Sequence, residues 1–457
     1  MSEGVPRLNA VSTARTPVLN PYLLRSSLIA GLGGLLFGFD TAVIAGTTRA
    51  LSETFSLSPT MLGITVSSAL WGTVLGAAVA GRASDRFGRR ACLSALSVLY
   101  LASAIGCALA WSWPALICFR VIGGLAVGAS SVIGPLYIAE ISPAAIRGRV
   151  VGFFQLNVVV GILLAYLSNY LVSLGGFGSS EWRWKFGMAA IPAFAFFIAV
   201  FGIPQSPRWL IAVGRHDEAR EVLRRVGESD PDREAADIAK TLTAERGARH
   251  EPLFQSRYRK PIFLAISIGL FNQLSGINAI LYYLNDIFER AGFGKISSDA
   301  QAVAIGFTNL IFTILAISMI DRIGRKKLLL TGAAGTAVCL AGVAAIFATG
   351  SHPGLLVWLL VGFIASFGFS QGAVIWVYLS EVFPNPVRAK GQSLGSFTHW
   401  FMNALISAIF PVMAARSGAA PFVLFALMMV VQFLVVLIAY PETKGVSLEE
   451  MERHVSA

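Results

Sequence analysis

The sequence predicts an all-α membrane protein of twelve spanning helices arranged in two similar sets of six. Three observations lead there. Of 457 residues, 55% are hydrophobic and only 13% are charged, and the mean hydropathy is +0.68, which leaves more apolar surface than a water-soluble domain can hide. Apolar runs of roughly 20 residues, the length that crosses a hydrocarbon core, recur twelve times. Charged motifs of the first half then return in the second half in the same order.

The chain divides as follows. The first 22 residues form a tail: Pro6, Arg7, Asn9, Arg15 and Pro17 interrupt it and it has no apolar core, unlike a cleaved signal peptide. Spans near 24–48, 60–80, 91–110, 115–138, 149–172 and 184–204 form a first bundle over 23–204. Residues 205–260 are polar, with twelve Lys+Arg against ten Asp+Glu. Apolar residues at helical spacing in Glu218-Ala-Arg-Glu-Val-Leu-Arg-Arg-Val226 predict a helical linker lying against a larger body. Spans near 261–288, 300–320, 328–349, 354–380, 390–412 and 420–440 form a second bundle over 261–440, and a short tail, 441–457, follows.

An even number of spans puts both ends on one side. The face that holds the tails and linker carries 29 of the 36 Lys+Arg, the opposite face six, and Arg120 lies within a span. That bias predicts a cytoplasmic location for the rich face and for both termini, as in a bacterial inner membrane. The net charge of +11 then reflects topology and anionic lipid headgroups rather than nucleic acid. Cys92, Cys107, Cys118 and Cys339 fall in spans without metal-ligand spacing, as small reduced apolar residues.

Two repeat pairs relate the halves. Gly81-Arg-Ala-Ser-Asp85-Arg86-Phe-Gly88-Arg89-Arg90 follows the second span, and Asp321-Arg322-Ile-Gly324-Arg325-Lys326-Lys327 follows the eighth. Ala139-Glu140-Ile-Ser-Pro143-Ala-Ala-Ile-Arg147-Gly148-Arg149 likewise matches Ser380-Glu381-Val-Phe-Pro384-Asn-Pro-Val-Arg388-Ala-Lys390. Parallel-related six-helix halves that rock about a midplane site are an alternating-access architecture.

Asp40 stands in the glycine-rich apolar stretch 31–46. A charged side chain at a membrane helix centre costs about 2.5–3.5 kcal/mol on insertion scales, so it points to a proton or ion site beside a cavity. A carboxylate held against a guanidinium stays ionised, whereas one withdrawn from it in an apolar place takes up a proton. The alternative is a static ion pair between helices, which ranks lower because packing alone rarely retains buried charge in lipid.

Taken together, Phe37-Gly-Phe-Asp40-Thr-Ala-Val, Asp85-Arg-Phe-Gly-Arg-Arg90, Arg120-Val-Ile-Gly-Gly124, Pro204-Gln-Ser-Pro-Arg208-Trp-Leu, Gln273-Leu-Ser-Gly-Ile-Asn278, Trp376 and Pro441-Glu-Thr-Lys-Gly445 cover essentially the whole chain. In this order they resemble the sugar porter family of the major facilitator superfamily, nearest to bacterial proton-coupled hexose, pentose and polyol symporters. The resemblance implies the major facilitator fold, with Asp40 as protonation site and Arg120 as its charge partner. It implies amides for sugar hydroxyls, Gln155, Gln273, Asn278 and Asn309, with Trp376 under the ring, and Phe37 and Tyr282 lining or closing the pocket. It further implies a gate on the linker face, in which Asp85, Arg89, Arg90, Glu140, Arg147, Arg208, Asp321, Arg325, Glu381 and Arg388 pair between halves when that face is closed and separate when it opens. Amides both donate and accept, which suits hydroxyls, and an indole covers a C–H face.

The chain departs from the family pattern at several places. Asn272 precedes Gln273 where two glutamines are usual, and Gln371-Gly372-Ala-Val-Ile-Trp376 lacks the usual proline. His399-Trp400 replaces an amide-Trp pair, leaving Asn403 as a further candidate amide; His399 can donate to a hydroxyl, titrate near neutral pH or pack between helices, of which packing is favoured. Gln205 replaces the glutamate before Ser206-Pro207-Arg208. No Gly-rich loop ends in Gly-Lys-Ser/Thr and the five histidines are scattered, which disfavours an ATP-driven pump and an enzyme. The expectation is therefore a monomeric sugar or polyol/proton symporter without cofactor. A facilitative uniporter is the alternative, and a drug–proton antiporter and a non-transporting sensor are weaker ones.

Overall fold

The computed structural model describes residues 20–143, 146–247, 251–384 and 386–444, so nearly all of both expected tails lie outside the described residues. The first half comprises α1 (Pro21–Val43), α2 (Thr48–Phe55), α3 (Pro59–Phe87), α4 (Arg89–Ala108), α5 (Trp113–Ile141), α6 (Arg147–Leu174), α7 (Glu181–Gly187) and α8 (Ala190–Ala199). A linker follows, with α9 (Pro207–Ala212), α10 (His216–Arg225) and α11 (Pro231–Gly247). The second half comprises α12 (Arg259–Leu274), α13 (Ile277–Tyr282), α14 (Leu284–Arg290), α15 (Lys295–Ile323) and α16 (Arg325–Thr349). It ends with α17 (Leu355–Phe369), α18 (Gln371–Glu381), α19 (Arg388–Arg416) and α20 (Ala420–Ala439). Among the described residues, twelve helical stretches are long and apolar enough to cross a membrane. The protein is a multi-pass membrane protein.

Local chemistry sets several helix starts. Asn20, Ser58 and Ser112 each accept a backbone N–H at the head of α1, α3 and α5, and each of these helices has proline in its first two positions. Helices overrun the predicted spans where hydropathy marks the bilayer but not the helix end: α3 and α15 continue to Phe87 and Ile323. They stop where the repeated motif supplies Gly88 and Gly324, at φ +85 and +102, a left-handed turn that a side chain would strain. Three spans are interrupted: the sixth between α7 and α8, the seventh at Ser275-Gly276 between α12 and α13, and the tenth at Ser370 between α17 and α18. The linker wraps its buried Ala219, Val222 and Leu223 inward, while Arg215–Glu218 and Arg225–Glu221 pair on its exposed side.

Within the first half α1 packs on α6 and α3 on α5. A Cβ at Gly38 would run into the Val158 carbonyl oxygen, so that glycine lets α1 and α6 approach backbone to backbone. Across the halves, α3 lies on α19 and α6 on α15. The cleft lies between these two seams.

Candidate functional site

Asp40 lies on α1 and Arg120 on α5, and the cleft between the halves reaches both. Arg120 Nη1 donates to Asp40 Oδ1 at 3.2 Å; the Arg120 side chain is 3% exposed and that of Asp40 24%. The arginine is otherwise enclosed: its guanidinium lies over the Phe186 ring at 5.7 Å and its Nε has no partner. Gly123 keeps this corner open, since a Cβ there would press on Ser103 and lie 3.8 Å from Asp40 Oδ1. A small hollow meets the pair, with Phe37, Thr41 and Thr73 of the first half on one side and Tyr282 and Trp400 of the second on the other. A buried cation thus holds a partly exposed carboxylate at the edge of this hollow.

The interruption after α12 brings the amides together. Gln273 Nε2 donates to Asn272 Oδ1 at 3.1 Å and lies 3.2 and 3.3 Å from the two His399 ring nitrogens. Its Oε1 accepts from Asn278 Nδ2 at 3.0 Å. Asn272 Nδ2 donates to the Gln371 carbonyl at 3.4 Å, tying α12 to the break before α18. Asn403 donates to the Tyr282 hydroxyl at 3.2 Å. Trp376, 40% exposed, sits 5.1 Å from His399, which in turn stands edge-on to Trp400 at 5.0 Å. Phe37 meets Trp400 across the halves at 5.5 Å. His399 therefore packs between two indoles while facing the Gln273 amide.

Three expected pocket residues stand apart from this network. Gln155, on α6, is exposed and makes no hydrogen bond among the described residues. Asn309, on α15, lies beside Gly368 of α17, and Gly372 lies against Phe367 at the break before α18.

Among the described residues the linker-face charges form ion pairs. They join helices of the same half rather than bridging the halves. Arg89 pairs with Asp85 at 3.1 Å and with Glu140 at 3.0 Å, all in the first half; Arg208 also bears on the charge of Glu140. Arg325 pairs with Glu381 at 2.8 Å in the second. Arg90 donates to the Phe201 carbonyl at 2.7 Å, Arg388 to the Phe383 carbonyl at 3.1 Å, and Arg147 is exposed at the start of α6. Asp321 lies on α15, and its side chain is outside the described residues. The reason is the position of the halves: they meet at the opposite, far face, where Thr48 donates to Asp286 at 3.0 Å and Arg49 pairs with Glu289 at 3.0 Å. The cleft is closed at the far face, and the linker-face ion pairs described above each lie within one half.

A third repeat escaped the sequence reading. Gln205 Oε1 accepts the Arg90 N–H at 3.1 Å, while Glu442 accepts the Arg325 and Lys326 N–H groups at 2.8 and 3.1 Å. Next in the chain, Ser206 donates to Glu140 and Thr443 donates to Glu381 at 2.6 Å. Pro204-Gln-Ser and Pro441-Glu-Thr thus perform one task in each half, holding a helix N-terminus and a carboxylate. Gln205 keeps the hydrogen bond of the expected glutamate without its charge. Also unforeseen were Thr41 and Thr73 in the cleft, and the far-face Lys185 and Asp299. Lys185 had a signal, a cation inside the predicted span 184–204, which is the ground on which Asp40 was chosen.

Comparison with known proteins agrees with this geometry. The family profile described as sugar (and other) transporter matches residues 26–455. The arabinose–proton symporter of Bacillus subtilis (strain 168) is 37% identical over 439 residues, covering 94% of this chain and 95% of that protein. The D-xylose–proton symporter of Escherichia coli (strain K12) is 35% identical over 470 residues, with 94% and 95% covered. The solved inward open conformation of the xylose transporter XylE from E. coli superposes with a TM-score of 0.85 at 33% identity, over 95% of this chain and 100% of that one.

Proposed function

This chain belongs to the sugar (and other) transporter family, and from that premise we propose that it imports a monosaccharide or polyol together with a proton by alternating access. One observation carries the reading: the Asp40–Arg120 pair, 3.2 Å apart, meets a hollow whose second-half lining, Tyr282 and Trp400, contacts Asn403 and His399 of the amide and indole cluster. Solute and proton then share one solvent-accessible space. When the halves rock, Tyr282 and Trp400 of the second half move relative to Asp40 and Arg120, which share the first half, and the hydration of the carboxylate, and with it its hold on a proton, changes with that movement. The relatives named as arabinose–proton and D-xylose–proton symporters support a pentose or hexose substrate and proton coupling.

The linker face, with its excess of Lys and Arg, is proposed to be cytoplasmic, with both termini on that side of a bacterial inner membrane. The cleft, closed at the far face, is then open to the cytoplasm. Gln155 and Asn309, away from the amide network here, would join the sugar when α6 and α15 close over it. The protein is proposed to act as a monomer within the lipid bilayer, as a transporter rather than an enzyme, without a cofactor and with the proton as coupling ion. The test is a panel of sugars added to proteoliposomes in a weakly buffered medium. A coupled substrate makes the outside alkaline as it enters, and a panel in which every transported sugar enters without a pH change overturns symport.

A further inference from the structure

A second buried charge cluster lies at the far face, away from the sugar cleft. Lys185, on α7, is fully buried. Its Nζ pairs with Glu181 at 2.8 Å and with Asp299 at 3.4 Å, and donates to the Gly46 carbonyl at 2.9 Å. Asp299, on α15, is 1% exposed and also accepts from Ser173 of α6 and Asn285 of α14. Lys295 of α15 pairs with Glu181 at 2.7 Å. Two ammonium groups meet two carboxylates, so the cluster is balanced. Its central bonds cross between the halves: α6 and α7 belong to the first, α14 and α15 to the second.

Charges taken out of water cost several kcal/mol per ion unless paired and hydrogen-bonded. Alternating access requires the far face to open, and opening carries α15 away from α6 and α7. Lys185 and Asp299 then have two favourable conditions only, paired and dry or separated and hydrated. An arrangement with these charges apart but still dry is costly, which makes the cluster a two-state element rather than a compliant one. The apolar Gly63, which meets the Ala408 carbonyl on the same face, has no such discontinuity.

We infer that the Lys185–Asp299 pair is the far-face latch of the transport cycle, and that α7 links it to the coupling pair. The link is short. Phe186, next in sequence to Lys185, is the ring over Arg120, and Gly46, which Lys185 holds, follows Asp40 on the continuation of α1. A shift of α7 on losing Asp299 would therefore reach both neighbours of the Asp40–Arg120 pair. The inference goes beyond the proposed function and rests on its alternating access alone, not on the sugar or the proton.

The experiment measures the far-face opening directly. Spin labels go on Trp111→Cys and Ser351→Cys, exposed residues on the far-face loops of opposite halves, after replacement of Cys118 and Cys339, the two native cysteines that are not buried. Distances are recorded without sugar or proton gradient in the parent, Lys185→Met, the isosteric Asp299→Asn, and the double variant, each taken as a monodisperse peak. Each single change is expected to raise the long-distance population at least about tenfold relative to the short one, and the double change to add little more. Distributions that coincide with the parent's, or single effects that simply multiply in the double variant, overturn the latch. A protein that transports no sugar leaves these distances unaffected, so failure of the proposed function is read separately.

Discussion

Asp40→Asn separates transport from coupling. At 3.2 Å the ionised pair interacts by about 5 kcal/mol at an effective dielectric of about 20. The net effect on folding is a fraction of that, because Asp40 is 24% exposed, the amide oxygen still accepts from Arg120, and the carboxylate's own burial cost disappears. The melting temperature is expected to move by only a few degrees. Transport against a gradient is affected far more. One proton moving down 100 mV supplies about 2.3 kcal/mol, enough to concentrate a neutral solute roughly 50-fold, and an asparagine has no proton to exchange. In proteoliposomes under a potassium diffusion potential, accumulation should fall from that order to about one, while counterflow of labelled against unlabelled sugar continues. Accumulation that survives the change refutes the coupling role; counterflow lost in step with accumulation would instead make Asp40 a binding or structural residue.

Three further outcomes are expected. Trp376→Ala removes the indole beside His399 and should raise KM for the sugar by up to roughly tenfold, the scale of about 0.5–1.5 kcal/mol for an aromatic contact, with the melting temperature unchanged; an unaltered KM places the sugar elsewhere. Gly38→Ala pushes a methyl group into the Val158 carbonyl and should destabilise the α1–α6 seam by about 1–3 kcal/mol, read as earlier thermal unfolding in detergent. Asp286 of α14 gives a pH dependence: burial pushes its carboxyl from 3.8 to about 6, with Thr48 and Glu289, Arg290 and Arg49 as the groups acting on it. A raised acid binds its proton more tightly in the closed far face than in a hydrated open one, so closure gains as pH falls from above about 6 towards 4 and is lost as pH rises again; label distances that follow this course in the parent and not in Asp286→Asn confirm it, and a flat parent profile refutes it.

Much of the fold was legible because its signals are local. Hydropathy over twenty residues reports what a helix is immersed in, whatever it packs against, and the repeated Asp-Arg-x-Gly-Arg motif announces the same turn in both halves. The amide-rich seventh span was legible for a related reason: Asn272, Gln273 and Asn278 are close in sequence, so the break at Ser275-Gly276 needed only to turn them to one side. Asp40 was legible because a lone carboxylate in an apolar run is conspicuous anywhere.

The sequence by itself thus determined the number of spans, the twofold repetition and the family, and it singled out Asp40, Arg120 and the seventh-span amides. Only the tertiary structure decided which charges pair. Glu140 takes Arg89 and Ser206, Glu381 takes Arg325 and Thr443, and Lys185 of one half reaches Asp299 of the other. These partners lie from about fifty to more than a hundred residues apart, and no periodicity relates them. Whether a carboxylate meets its own half or the opposite one depends on which way the two bundles are tilted, a property of packing between helices that a chain read residue by residue does not contain.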